Sequence, residues 1–254
     1  MLSIFKARLQ QRHRTIAYPA TVPALPDRFR GLPRIDHSRC RDCNACVAAC
    51  PTGALAKVRG RLTIDLGVCI FCGACAAACQ HGGISFTQDH RLAARSRKDL
   101  QYTGQDFFRA QALGGSLRAL LGRALKLRQV SAGGCNACEA DTNVLTTVVF
   151  DLSRFGIQFV ASPRHADGLL VTGPVSRAMR GALLKTYEAV PAPKIVIAVG
   201  ACAIAGGPYR MHPEVCDGAD SAVPVDLYIP GCPPHPLTIL DGLLRLLGRL
   251  KEGM

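Results

Sequence analysis

Leucines at 113, 117, 120, 121 and 125 recur near helical spacing with basic residues opposite them, which predicts an amphipathic helix over 113–127. Downstream the pattern changes to short apolar runs between turn residues. Lys126–Val130, Ile157–Val160, Gly168–Val171, Ile195–Val199 and Val225–Ile229 read as strands. Ser176–Ala189 reads as a helix with Ser176 as its N-cap, and Pro236–Leu250 reads as a closing helix. Thr142–Phe155 is ambiguous, since its β-branched residues favour a strand and its length favours a helix. Strands alternating with helices imply an α/β fold, a parallel sheet covered on both faces. Toward the N-terminus the apolar runs are short, GALAKV after Cys50 and GISFT after Cys79.

Those two runs each follow a row of cysteines. Cys40, Cys43, Cys46 and Cys50 form C-x2-C-x2-C-x3-C, and Cys69, Cys72, Cys75 and Cys79 repeat the spacing. The chain is internally duplicated here. Three cysteines at this spacing wrap three corners of an iron–sulfur cube, and the fourth, on a short helix, reaches the other cube. Cys40, Cys43, Cys46 and Cys79 are thus expected to hold one [4Fe–4S] cluster, and Cys69, Cys72, Cys75 and Cys50 a second. Small residues between them (Asn44, Ala45, Gly73, Ala74) allow backbone N–H groups to turn toward sulfur. The bland alternative is structural zinc, which usually takes two separated pairs of ligands. Residues 36–90 resemble bacterial two-cluster ferredoxins, with Gln80 where proline usually follows the fourth cysteine.

Of the 13 cysteines, five remain: Cys135, Cys138, Cys202, Cys216 and Cys232. Cys202 and Cys232 each follow a strand end by three residues, and Cys135 and Cys138 follow the first strand of the parallel sheet. All four gather at the carboxyl edge, where open α/β sheets place their sites. A third [4Fe–4S] cluster fits there, against the alternative of buried inert cysteines. Cys216 has no partner at motif spacing and reads as a packing residue.

Length and composition narrow the classes. At 254 residues with 48% hydrophobic and 19% charged residues, the chain buries a real core. Collagen, a disordered tail and a small disulfide scaffold are excluded. Tryptophan is absent, which disfavours a base-stacking platform. The net charge of +13 is concentrated at residues 1–39, with 8 basic against 2 acidic, and at 91–130, with 9 against 2. Such segments suit an acidic protein surface or anionic headgroups; nucleic acid is the other reading, unsupported by any groove-reading motif. Leu66–Gln88 lacks charge, but its four cysteines make it no lipid span. With no secretory signal, the expected setting is a reducing cytoplasm. No P-loop and no Rossmann fingerprint follows a strand, so nucleotide binding is not expected.

The motifs GGCNACE, RFGIQFVASPRHADGLLVTGPVSRAMR, VGACAIAGG and VPVDLYIPGCPPHP resemble the small subunit of membrane-bound, energy-converting (group 4) [NiFe] hydrogenases, including the formate hydrogenlyase and hydrogenase-4 type. The same family includes the 20-kDa subunit of complex I. The resemblance covers roughly 113–250, while TIAYPATVPALPDRFRG and GVCIFCGAC resemble the ferredoxin-like subunit of those complexes. The chain therefore looks like a fusion: a basic arm (1–35), a two-cluster α+β ferredoxin-like domain (36–90), a basic linker with an amphipathic helix (91–125), and a 20-kDa-subunit-like domain (126–254). The resemblance implies a flavodoxin-like C-terminal fold, a third [4Fe–4S] cluster on Cys135, Cys138, Cys202 and Cys232, and a helix at Thr142. It implies a large catalytic subunit and other membrane-complex subunits as partners, a soluble donor or dehydrogenase subunit, and a peripheral place on the cytoplasmic face of the inner membrane. The complex I subunit carries two adjacent cysteines where this chain has Cys135-Asn136-Ala137-Cys138, which favours a hydrogenase over a complex-I-like subunit passing electrons from NADH dehydrogenation to quinone. A basic metal-binding adaptor is the alternative from another class. Glu139, next to Cys138, suits a proton relay to a partner's active site, or equally an acid complementing a helix N-terminus. His165 and His235 read as structural, with His235 near enough to the third site to tune it.

Overall fold

The computed structural model describes residues 2–250 apart from 13 and 42. An exposed helix α1 (Leu2–Gln11) buries none of its residues. The dicluster half then follows as β1 (Pro33–Ile35), α2 (Ala45–Ala48), β2 (Leu55–Val58), β3 (Arg61–Asp65), α3 (Ala74–Ala78) and β4 (Ile84–Phe86). β1 pairs antiparallel with β4, and β2 with β3. The apolar runs after the cysteine rows thus become β2 and β4, whose core-facing Leu55 and Ile84 are buried. β5 (Gln101–Tyr102) returns from the basic segment to pair with β3.

The C-terminal half runs α4 (Gly115–Leu121), β6 (Leu125–Ser131), α5 (Ala137–Val144), β7 (Ile157–Phe159), β8 (Gly168–Thr172), α6 (Arg177–Ala189), β9 (Ile195–Val199), α7 (Ala201–Ala205), β10 (Leu227–Ile229) and α8 (Pro236–Leu246). Its five strands are all parallel, in the order β10-β9-β8-β6-β7. Counted along the chain this is the 2-1-3-4-5 order of flavodoxin-like sheets, with the switch point between β6 and β8. Alternate residues face opposite sides. Leu169, Val171, Val196 and Ala198 join one apolar cluster, while Leu170, Ile195, Ile197 and Val199 join another beneath α8. The first cluster continues without a break into Ile35, Leu55 and Ile64 of the dicluster half.

Several sequence expectations change. The helix over 113–127 stops at Gly122, and the strand begins at Leu125. The closing helix ends at Leu246 rather than Leu250. Ser176 does sit at the cap of α6, without a side-chain hydrogen bond. Thr142–Phe155 is neither strand nor one helix. α5 ends at Val144, Thr146 and Thr147 hydroxyls donate back to the carbonyls of Asn143 and Val144, and Asp151 takes a left-handed turn before a single 3-10 turn at Leu152–Phe155. Side-chain bonds of this kind compete with helix continuation. Among the described residues no helix is long and apolar enough to cross a membrane.

The basic arm is pinned at Tyr18. Its hydroxyl donates to Asp241 of α8 at 2.9 Å, and Arg245 donates to the other carboxylate oxygen at 2.8 Å. His90 meets the Tyr18 ring edge-on. Burial, then the Asp241 carboxylate, push the Tyr18 hydroxyl far above its ordinary value, so it stays a donor.

Candidate metal centres

One local turn occurs three times. Asn44, Gly73 and Asn136 each adopt a left-handed conformation (φ 58°, 83° and 71°) just before a helix. Each stands between two cysteines of a C-x-x-C pair: Cys43 and Cys46, Cys72 and Cys75, Cys135 and Cys138. Glycine and asparagine are the residues that enter this region at least cost. The second cysteine of each pair lies in the first turn of the helix. The third site is therefore entered by the same device as the two ferredoxin motifs, a shared signal that reading the C-x-x-C spacing alone does not reveal.

The structure brings Cys40, Cys43, Cys46 and Cys79 around one small cavity, whose apolar walls include Ile35, Leu62 and Ile84. Burial first, then Cys79 and Cys40, raise the Cys46 thiol. Cys69 is pushed up to about 12 by burial, with Cys75, Cys50 and Cys72 adding to it. Cys75 rises to about 11 by burial, with Cys50 and Cys72 adding to it. Each fourth cysteine thus stands beside the opposite motif. It lies just past its helix, not on it: Cys50 follows α2 and Cys79 caps α3. The chain then turns back so that a backbone N–H four residues on donates to sulfur, Ala54 to Cys50 and Gly83 to Cys79, both at 3.2 Å. Phe71 N–H donates to Cys69 Sγ at 3.3 Å. Gln80, beside the second of these turns, is exposed.

The second motif is held from outside by Asp65. Its carboxylate accepts Gly67 N–H at 2.9 Å and both Arg97 guanidinium nitrogens at 2.8 and 2.7 Å. Gly67 in turn lies against Ile204 of α7, where any Cβ would collide with the isoleucine side chain.

The third set forms at the carboxyl edge of the parallel sheet. Cys135 and Cys138 follow β6, Cys202 opens α7 after β9, and Cys232 follows β10. Cys138 is driven up by burial and then by Cys202, Glu139, Cys232 and Cys135. Cys202 reaches about 12 from burial, with Cys232, Cys135 and Glu139 adding. Two glycines make the approach possible. Gly200 (φ 91°) would place a Cβ 2.5 Å from Cys138 Sγ, and Gly207 (φ 56°) would place one 2.6 Å from Cys202 Sγ. Cys138 and Cys202 face inward, while Cys135 and Cys232 are exposed.

Glu139 is buried and accepts a hydrogen bond from Thr172 Oγ1, at the end of β8, at 2.7 Å. His235 caps α8: its Nδ1 accepts Leu237 N–H at 3.1 Å, and burial, then His90, lowers it. His165 lies exposed before β8, at the opposite edge of the sheet. Cys216 is partly buried, packed against the core, and its N–H donates to Val175 O at 2.9 Å.

The donor chemistry of all three sets fits iron–sulfur clusters. Four soft sulfurs that oppose one another's ionisation call for a cationic core between them. Among the described residues no three His, Cys, Asp or Glu side chains converge tightly enough for a single ion. A cube of four irons suits thiolates grouped but set apart.

Residues 135–246 match the family described as NADH ubiquinone oxidoreductase, 20 Kd subunit, and residues 32–85 match the 4Fe-4S dicluster domain. A probable membrane-bound hydrogenase subunit, mbhJ, of Pyrococcus furiosus is 42% identical over 132 residues, 52% of this chain and 79% of the relative. The chain belongs to the 20-kDa subunit family. Formate hydrogenlyase subunit 7 of Escherichia coli (strain K12) is 46% identical over 137 residues, 54% of each chain. The match thus spans about half the length of that relative. An NADH-quinone oxidoreductase subunit of Desulfovibrio desulfuricans is 42% identical over 139 residues, 54% of this chain and 75% of the relative. In this family member the 20-kDa unit shares one chain with an N-terminal dicluster unit.

Proposed function

We propose that the chain is the iron–sulfur electron-transfer subunit of a membrane-associated hydrogenase complex of the formate hydrogenlyase type, connecting a soluble donor or dehydrogenase subunit with a [NiFe] large subunit. It carries three [4Fe–4S] clusters: Cys40, Cys43, Cys46 and Cys79; Cys69, Cys72, Cys75 and Cys50; and Cys135, Cys138, Cys202 and Cys232. The observation that carries this reading is the grouping of twelve of the 13 cysteines into three sets whose members sense one another. Substrate chemistry belongs to partner subunits.

Bound there, the clusters supply reversible one-electron chemistry. The chain's own residues supply the rest. Ala54, Phe71 and Gly83 donate N–H groups to sulfur, which favours the more negative, reduced state. Leu62, Ile84 and the sheet core keep water from the buried sulfurs. Gly67 against Ile204 sets the second site next to the third, with the first farther out along the chain's order of contacts. Exposed Cys135 and Cys232 leave the third site open to a partner surface, where Glu139 is the proton-carrying candidate. The exposed basic α1 and arm suit anionic headgroups or an acidic subunit on the cytoplasmic face. The four-part division at 35, 90 and 125 belongs to the same proposal.

Cys202→Ser is expected to remove the third site's signal and end transfer to the partner while the dicluster sites stay reducible. Undiminished turnover in that variant overturns the assignment. A second reading, a complex-I-like subunit delivering electrons to quinone, is favoured by the kinship with the NADH-quinone oxidoreductase subunit of Desulfovibrio desulfuricans. Metal analysis of the complex purified through a tag on this chain separates the two. Nickel with hydrogen evolution supports the hydrogenase; abundant iron without nickel supports the quinone-linked reading.

A further inference from the structure

Arg28, Phe29 and Arg30 belong to the basic arm, far in sequence from any cysteine of the second and third sets, yet they lie between two cysteine loops. On one side, Arg30 Nη1 donates to the carbonyl of Phe71 at 3.4 Å, inside the turn between Cys69 and Cys75. At Gly73 a Cβ would stand 2.8 Å from Arg30 Nε, so the guanidinium lies directly on that turn. On the other side, the Phe29 ring meets the His235 ring edge-on, with centroids 5.4 Å apart, three residues past Cys232. Phe29, Phe71, Cys232 and His235 line one cavity of about 250 Å³ between the loops.

Both flanks of this segment are fixed. Phe29 N–H closes a turn on Pro26 O at 2.8 Å, and Gly31 and Leu32 N–H groups donate to Thr87 O and Asp89 O at 2.8 and 2.9 Å. Gly31 sits so close to the Asp89 backbone that no side chain fits there. His235 is itself held by its bond from Leu237 N–H. The segment therefore has no freedom to swing away from either loop without breaking backbone bonds.

We propose that Arg28–Arg30 is the positioning element of the electron step between the second dicluster site and the third, with Arg30 setting the Cys69–Cys75 turn and Phe29 setting the Cys232–His235 loop. This rests on the electron-transfer reading above. In the step one electron leaves the reduced second site, which is oxidised, and enters the oxidised third site, which is reduced; no bond is made or broken. Phe29 acts through the His235 loop, as a positioning residue, and its effect is on the gap between the sites. Removing its ring enlarges the cavity, admits water and frees the His235 loop.

The test uses the full chain with its iron measured. Phe29→Ala is expected to keep wild-type iron content. The magnetic interaction between the reduced second and third sites is expected to weaken, and the rate at which the third site gains an electron after rapid reduction of the dicluster half to fall roughly tenfold. Phe29→Tyr, which keeps the ring, is expected to restore both. Wild-type interaction and rate in Phe29→Ala, or a Phe29→Tyr variant as slow as Phe29→Ala, overturn the proposal. Hydrogen exchange across 70–73 and 231–235 is a second readout, expected to rise in Phe29→Ala and Arg30→Ala; unchanged exchange in both overturns the clamp itself. If the wild-type third site never gains an electron from the dicluster half, it is the electron-transfer reading that fails, and the exchange data still judge the clamp.

Discussion

Gly200 shows how much rests on one missing methyl group. The residue leaves β9 with φ 91°, a conformation costly for any residue with a Cβ, and a Cβ there meets Cys138 Sγ. Gly200→Ala is therefore expected to cost the protein the iron of the third set while Cys40–Cys79 keep theirs. Iron analysis with the spectra of the reduced protein checks this; a full complement of iron in the variant would count against a third site here. Glu139 is the other telling residue. It sits in the first turn of α5, as a dipole-complementing acid would, yet one carboxylate oxygen is held by Thr172 and its charge is felt by Cys138 and Cys202. Placement at a helix start and a part in the third site's field are the same position here, so the two readings of the sequence are not exclusive.

At the scale of elements, the segment after β4 is a knot of ties centred on Asp89. Its backbone carbonyl accepts Leu32 N–H from the arm, and its carboxylate accepts Arg91 and Arg109 at 2.7 and 2.9 Å. Burial alone pushes this carboxyl up, but bonds and charge from the two arginines outweigh that and bring it down to about 2. The folded value lies below the unfolded one. The stabilisation is thus fully present above the ordinary carboxylate value of about 3.9 and drains away as pH falls toward the folded value. Thermal melts of wild type and Asp89→Asn between pH 4 and pH 2 are expected to show a steeper loss in the wild type; parallel slopes would remove Asp89 from the account. Legibility in the sequence follows the same local logic. Ile195–Val199 is legible to the residue because a buried strand is a continuous apolar run bounded by Lys194 and Gly200. The cysteine rows are legible because their spacing is covalent geometry. Thr142–Phe155 is not, because its fate turns on threonine hydroxyls bonding their own backbone. The lodging of Phe29 against His235, and of Tyr18 against Asp241, is invisible in one dimension, since nothing local distinguishes those aromatics from any others.

At the scale of the whole molecule, the two halves share one apolar cluster from Ile35 to Tyr228. The basic linker between them is part of the architecture: Arg97 holds Asp65, and Arg95 Nε donates to Asp226 O at 2.7 Å, just before β10. The clearest case is Ala94, which exchanges both backbone hydrogen bonds with Tyr228, at 3.0 and 2.9 Å. β10 is the outermost strand of the parallel sheet, and Ala94 closes part of its open rim. Unguarded rims of that kind recruit strands from other molecules. A C-terminal half expressed without residues before 113 is therefore expected to be sticky, and to self-associate in sedimentation experiments where the whole chain does not. In this light the fusion of the two units does something besides joining their redox sites: the linker acts as a built-in chaperone for the sheet it leads into.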